Sequence, residues 1–451
     1  MILDTTRRRL DRRLAADQAG RRLPSIAAAL TRDGELIWAG GAGQVGGSPP
    51  SADTQYRAGS ITKTFIAVEV MMLRDAGRLT LTDPAGDYLD AGAAGGIRIG
   101  ELLAHSGGLR AETAGPWWER IPGTDLAGLA SGSLGADAAR FRPGRRYHYS
   151  NVGFALLGSL IEAVAGRPWH EVLAHDLFSP LELNRTTTRP SAPAATGYAV
   201  HPHADVLLPE PEHDAGALAP AGQLWLTMAD LARWGAFLAG DTAGLIEEAT
   251  LAEMREPVVV GEAAGQPWTA GHGLGLQLWN VGGDRYYGHT GSMPGFTAIL
   301  QITDGPGRDT VVAACNSTAG FSRSLGLDLL GILASAEPAF PAPWRPVEVA
   351  AEVLALLGTW YWGPAAFTLR LTGELLELCQ QDDGRIQRFR PDGLMRWRGI
   401  DGYQAGEPLV PVAGPDGRPI ALDIGSFVYA RAPYDPAAPI PGGVDPAGWH
   451  A

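Results

Sequence analysis

Between Ser335 and Pro346 the chain reads SAEPAFPAPWRP, a run that holds four prolines. Each proline fixes φ and removes a backbone donor, so neither a helix nor an interior strand crosses such a run. Whatever precedes it must close its own core, and so must whatever follows. After the run come GTWYWG, FTLRLTGELLELC, LMRWRGIDGYQ, LVPVAG and DIGSFVYARAPY, short alternating segments separated by Gly, Asp and Pro. That texture predicts a small antiparallel β-barrel or sandwich. The expected organisation is one domain over residues 1–335, a linker over 336–346 and a β domain over 347–451. The Pro/Gly-rich tail from Pro433 onward is expected to be loosely held.

The first part mixes both periodicities. Two apolar stretches flank Asp33-Gly34, a hairpin signal. Phe65–Leu73 and Val152–Val164 read as buried helices, the first ending near Gly77. Thr227–Leu238 reads as a helix opened by a Thr-x-x-Asp cap. Residues 271–320 alternate apolar and small side chains and read as strands of a central sheet. Residues 190–222, rich in Pro, Ala and His, read as extended loop.

Charge excludes some functions. A formal net charge of -13 and a pI near 5.2 argue against nucleic-acid binding. The arginines at Arg7, Arg8, Arg9, Arg12, Arg13, Arg21 and Arg22 read as the solvated face of an amphipathic helix. No apolar stretch follows them as in a secretory signal, and no run is long enough to span a membrane, so a cytoplasmic protein is expected. Cys315 and Cys379 offer no disulfide framework.

Of the 36 basic residues only one, Lys63, is a lysine. Lysine differs from arginine in that it can give up its proton when buried. Ser60 lies three residues earlier, a spacing that puts both side chains on one helix face. Burial next to Phe65 lowers a lysine below its usual ~10.4, and such a lysine can activate a serine. A lone Ser-x-x-Lys is common by chance, so the later motifs matter. Tyr149-Ser150-Asn151 could relay protons if Lys63 lowers the tyrosine; alone it reads as a helix cap. In His289-Thr290-Gly291, His289 and Gly291 share one side of a strand. There the glycine would let a substrate backbone lie close; alone, His289 reads as an ordinary strand histidine. His201, His203 and His213 sit in Pro-rich sequence and read as loop; no metal and no cofactor is expected.

Together, Ser60-Ile61-Thr62-Lys63, Tyr149-Ser150-Asn151 and His289-Thr290-Gly291 resemble the three motifs of the penicillin-recognising serine hydrolases. That family holds class C β-lactamases, D-Ala-D-Ala carboxypeptidases, D-aminopeptidases and related esterases. LLAHSGGL (Leu102–Leu109) and GHTGSMPGF (Gly288–Phe296) are similar to further family segments. The resemblance covers about residues 20–335 and implies an α+β fold, an antiparallel sheet flanked by helices with a helical subdomain, followed here by a lipocalin-like β domain. It also implies that Ser60 is acylated, that Lys63 and Tyr149 shuttle its proton, and that Asn151 holds this network and the substrate amide. The oxyanion would sit between the backbone N–H groups of Ser60 and Ser292.

His289 stands where a β-lactamase has lysine, which replaces a fixed cation with a group that titrates near neutrality. The β domain, with GPWWER (Gly115–Arg120) and AGQLWLT (Ala221–Thr227), is similar to the penicillin-binding-protein-type thioesterases of nonribosomal peptide pathways. Those stand-alone enzymes take a peptide from a carrier-protein thioester and close it head to tail, favouring a D-residue at the acyl end. The resemblance thus implies a peptidyl thioester as substrate and a carrier protein as partner. Trp117, Trp118 and Trp225 would line a pocket that excludes water, and Arg431 would meet a substrate carboxylate; core packing and a surface arginine are the plainer readings. A D-stereospecific peptidase or esterase using water, and an inactive binding protein on the same fold, remain open.

Overall fold

A computed structural model describes residues 2–115, 117–261, 265–305, 307–338, 343–425 and 427–433. The chain divides into two compact units, Met1–Phe340 and Pro341–Ala451. Residues 339–342 of the proline run, and the tail from Tyr434 onward, lie outside the described residues.

The first unit is α+β. Its central sheet has eight strands in the order Glu35–Gly43, Ser25–Arg32, Thr310–Cys315, Phe296–Thr303, Asp284–Met293, Gln277–Val281, Ala270–His272 and Val259–Val260, all neighbours antiparallel. Asp33 and Gly34 both take positive φ, 50° and 80°, the turn a tight hairpin demands. Strand Ser25–Arg32 is buried on both faces, and its period of two divides the core. Ile26, Ala28 and Leu30 pack with Leu10 and Leu14 of helix Asp4–Gly20 and with Leu329 and Leu333 of helix Leu325–Ala336. Ala27 and Ala29 face the larger cluster, which holds helices Thr62–Asp75, Asn151–Ala165 and Met228–Leu238.

Helix Thr62–Asp75 is buried almost all round, so its sequence is apolar on every face apart from a few polar positions. It grows out of a 3₁₀ turn, Gly59–Ile61. Helix Asn151–Ala165 is capped by Ser150, whose hydroxyl accepts from Gly153 N–H, and ends at Gly166 with φ 73°. The cap of Tyr149-Ser150-Asn151 is therefore the serine, which leaves the side chains of Tyr149 and Asn151 for other partners.

In the second unit, eight strands from Gly358–Trp362 to Phe427–Ala430 form a closed antiparallel barrel, sealed by the pairing of Tyr361 with Ala430. Trp360, Leu369, Leu378, Phe389, Leu409 and Leu422 fill it. Closure leaves no exposed sheet edge. Arg431 has a structural setting here rather than the substrate contact expected of it. Its guanidinium lies 3.7 Å from the Trp360 ring centroid and donates to the carbonyls of Ala355, Leu357 and Thr359. Those bonds use the donors that would hold a carboxylate.

Candidate active site

The 3₁₀ turn places Ser60 directly ahead of the buried helix, and Lys63 follows one turn later. Lys63 Nζ lies 3.0 Å from Ser60 Oγ and donates to Ala221 carbonyl at 2.6 Å. Lys63 is 0% exposed. Its ammonium sits 5.0 Å from the Tyr149 ring centroid and 5.6 Å from that of Phe154. Burial pulls the Lys63 amine down to about 7, against the pull of Glu112. Near neutral pH a substantial fraction is therefore an unprotonated amine, hydrogen-bonded to a hydroxyl.

Burial pushes the Tyr149 phenol well above the ordinary tyrosine range, a rise that the neighbouring Ser60 opposes only in part. Lys63 meets the ring face rather than holding a phenolate. The expectation that Lys63 lowers Tyr149 is thus reversed, and Lys63 is the better resting base. Asn151 engages a residue outside the three motifs: its Nδ2 donates to Glu112 Oε1 at 2.7 Å. Glu112 was not singled out from the sequence, where no motif marks it. Burial raises its carboxyl, while the Asn151 bond and the Lys63 charge oppose the rise.

The third motif lies on strand Asp284–Met293. His289 and Gly291 are buried and Thr290 and Ser292 exposed, as strand alternation requires. Met293 and Phe296 close the hairpin to the next strand, so pairing alternates from there. That alternation turns the Thr290 and Ser292 N–H groups away from strand Phe296–Thr303. The Thr290 N–H accordingly donates to Gln277 Oε1 at 2.9 Å. The strand on the other side pairs only as far as Gly288, so the edge beyond faces the Ser60 turn. A Cβ added to Gly59 would lie 2.5 Å from Ser292 N, and one added to Gly291 would lie 1.9 Å from Ala58 carbonyl and 3.3 Å from Ser60 N. The Ser60 and Ser292 amides thus belong to two backbones in direct contact, an arrangement able to hold an oxyanion. Gly291 serves that contact with Ala58 rather than the approach of a substrate backbone.

His289 is not the near-neutral group expected from its type. It is fully buried, and burial first, then Lys63, hold it neutral well below the usual histidine range. It belongs to a cluster with His105 and His272, all buried, whose nearest ring nitrogens lie within 4.8 Å of one another. His105 stands in the segment LLAHSGGL; His272 carried no sequence signal. Such a trio could hold a metal ion, but the hydrogen bonding does not suit one. His105 Nδ1 accepts from Ser150 N–H at 3.1 Å, so a neutral His105 carries its proton on Nε2, the nitrogen a metal would need bare.

The tryptophans separate. Trp225 is buried, pairs across a two-stranded ladder with Arg57, and borders cavities of about 260 and 280 Å³ that share Arg57, Pro190 and Glu212. Trp118 meets the His213 ring edge-on at 5.5 Å. Trp117 is 68% exposed, with the Arg120 guanidinium 5.8 Å from its ring, and walls none of these cavities. Arg57, also unmarked in the sequence, is buried and donates to His213 carbonyl and to Gln223 Oε1.

The sequence pattern described as Beta-lactamase matches residues 10–328. The chain belongs to the beta-lactamase family. Within this beta-lactamase-family chain, residues 349–431 match a separate Domain of unknown function (DUF7586). A penicillin-binding protein 4 of Amycolatopsis lactamdurans is 29% identical over 361 residues, 73% of this chain and 91% of its own. The D-stereospecific amidohydrolase from Streptomyces sp. shares the fold with a TM-score of 0.61 and 25% identity, covering 74% of this chain and 98% of its own. SurE matches with a TM-score of 0.59 and 24% identity over 95% of this chain and 99% of its own, and has also been solved with D-Leu.

Proposed function

We propose that this chain is a serine acyltransferase that releases a peptide from its thioester through an acyl-Ser60 intermediate and closes it head to tail, with a D-residue at the acyl end. The observation that carries the acyl-serine chemistry is the 3.0 Å contact between Ser60 Oγ and a fully buried Lys63 amine. Neutral Lys63 takes the Ser60 proton as Oγ attacks the thioester carbonyl. The oxyanion rests on the Ser60 and Ser292 amides. Collapse expels the thiolate, which takes the proton back through Lys63 and Tyr149. The peptide's own amine then attacks the acyl carbonyl, and Ser60 Oγ leaves with a proton from the same pair. The D-configuration is supported by two of the similar structures, a D-stereospecific amidohydrolase and SurE solved with D-Leu.

The amidohydrolase favours a second reading, a D-stereospecific hydrolase in which water resolves the acyl-serine. Linear peptidyl thioesters ending in a D- or an L-residue separate the two. The expected products are macrocycles from the D-series only. Linear acid alone, across several peptides, would sink the cyclase reading and leave the hydrolase.

Acylation should also depend on pH in one direction. The base is the unprotonated Lys63, whose pKa is lowered to about 7. Below that value Lys63 is charged and cannot accept a proton, so kcat/KM should fall on the acid side of about pH 7. A profile flat down to pH 5 would place the base elsewhere.

A further inference from the structure

The three buried imidazoles are held in different ways. His105 accepts at Nδ1 from Ser150 N–H, which leaves Nε2–H pointing into the cluster. His289 Nδ1 lies 2.5 Å from Thr290 carbonyl, which can only accept, so its Nε2 presents a lone pair. His272 has no partner at either ring nitrogen among the described residues. No hydrogen bond fixes its tautomer or its ring orientation. The His105 and His289 rings lie 4.2 and 6.2 Å from that of Tyr149. The His272 ring lies 6.1 Å from that of Tyr149, stacks on Tyr147 at 5.1 Å and borders a cavity of about 120 Å³ walled also by Gly271, Gln277 and Trp279. Exposed Gly261 forms part of that wall, so the cavity reaches the surface.

The donor and acceptor pattern decides what the cluster can hold. Nitrogens around a tetrahedral zinc at about 2.0–2.1 Å stand roughly 3.3 Å apart. Nitrogens sharing one water at about 2.8 Å stand roughly 4.6 Å apart, which fits inside the cluster's 4.8 Å limit. A water also satisfies a donor at His105 and an acceptor at His289 together, as a cation cannot.

The chemistry supplies a need for such a site. Near neutral pH, acyl-Ser60 plus an ammonium gives amide, Ser60 hydroxyl and one proton; acyl-Ser60 plus water gives carboxylate, Ser60 hydroxyl and one proton. Either way a proton leaves the buried Lys63–Tyr149 pair in each turnover. We propose that His105, His289 and His272 share one water and form a proton exit from this pair, with His272 as the shuttle that hands the proton to the cavity beside Tyr147. Burial keeps all three imidazoles neutral at rest. His105 then only donates to the water, His289 offers it a lone pair, and His272, with neither nitrogen committed among the described residues, can take a proton on one nitrogen and release it from the other.

This inference rests on the acyl-serine reading. The test compares the full chain with its His272→Phe and His272→Gln variants, using a p-nitrophenyl ester of an N-blocked D-amino acid. Both variants are expected to keep the wild-type burst of nitrophenol, which reports a folded site and intact acylation. Steady-state turnover at pH 7 should fall by ~10-fold or more and recover, saturably, with added imidazole. Wild-type turnover in both variants overturns the proposal, as does a loss that imidazole leaves unchanged. Stoichiometric Zn²⁺ binding to the wild type, abolished in His272→Phe, also overturns it and makes the cluster a metal site. If the wild type shows neither a burst nor an acyl adduct on Ser60 by mass spectrometry, the acyl-serine reading itself fails, whatever His272 does.

Discussion

Lys63→Arg is expected to lower the rate of Ser60 acylation by at least ~10²–10⁴-fold, the usual contribution of a positioned general base. The guanidinium keeps the charge but does not give up its proton. The pocket adds a second penalty. Lys63 is fully buried beside the Tyr149 and Phe154 rings and, among the described residues, makes two hydrogen bonds, so a larger fixed cation strains the pocket. Lys63→Met separates the two effects, because methionine fits the volume without charge. Both variants should be inactive, with Lys63→Met melting at or above the wild-type temperature. Intact-mass detection of the acyl adduct, beside a thermal melt, reads both quantities. Acylation by a folded Lys63→Arg within tenfold of wild type would move the base to Tyr149.

Gly291→Ala should cost a comparable amount by another route. The new methyl carbon would stand 1.9 Å from Ala58 carbonyl, which is backbone and has little room to yield. The strand must retreat from the Ser60 turn, and the Ser292 amide retreats with it. Losing one oxyanion donor costs ~10²–10³ in kcat, and overpacking of this kind destabilises by about 1–3 kcal/mol. Single-turnover acylation should therefore collapse while the melting temperature drops only a few degrees. An unchanged acylation rate would remove Ser292 from the oxyanion hole.

Much of this was legible in the sequence because the governing rules are local. Period-two burial, the Asp33-Gly34 turn and the Ser60–Lys63 spacing depend on a few neighbouring residues. The proline run marks a change of texture for the same reason. What sequence could not deliver is the outcome of burial. Lys63 was expected to act on Tyr149 electrostatically, and His289 was expected to titrate near neutrality. In the folded chain desolvation outweighs both effects, and desolvation depends on residues distant in the chain. Glu112, Arg57 and His272 were missed because their partners, Asn151, Gln223 and the other two imidazoles, come from other segments. Arg431 was expected to meet a substrate carboxylate because nothing near it in sequence foretells that Trp360 and three carbonyls would engage it.

A chain with one lysine is also unusually easy to observe. Protein grown on isotope-labelled lysine carries a single labelled side chain, and that side chain is the candidate base. One Cε–Nζ resonance, followed through a pH series, would report the protonation of Lys63 directly, with no assignment problem and no mutation. The same resonance would register acylation of Ser60, since the hydroxyl 3.0 Å away becomes an ester oxygen. The composition that singles out this residue therefore also makes it a built-in spectroscopic probe of its own chemistry.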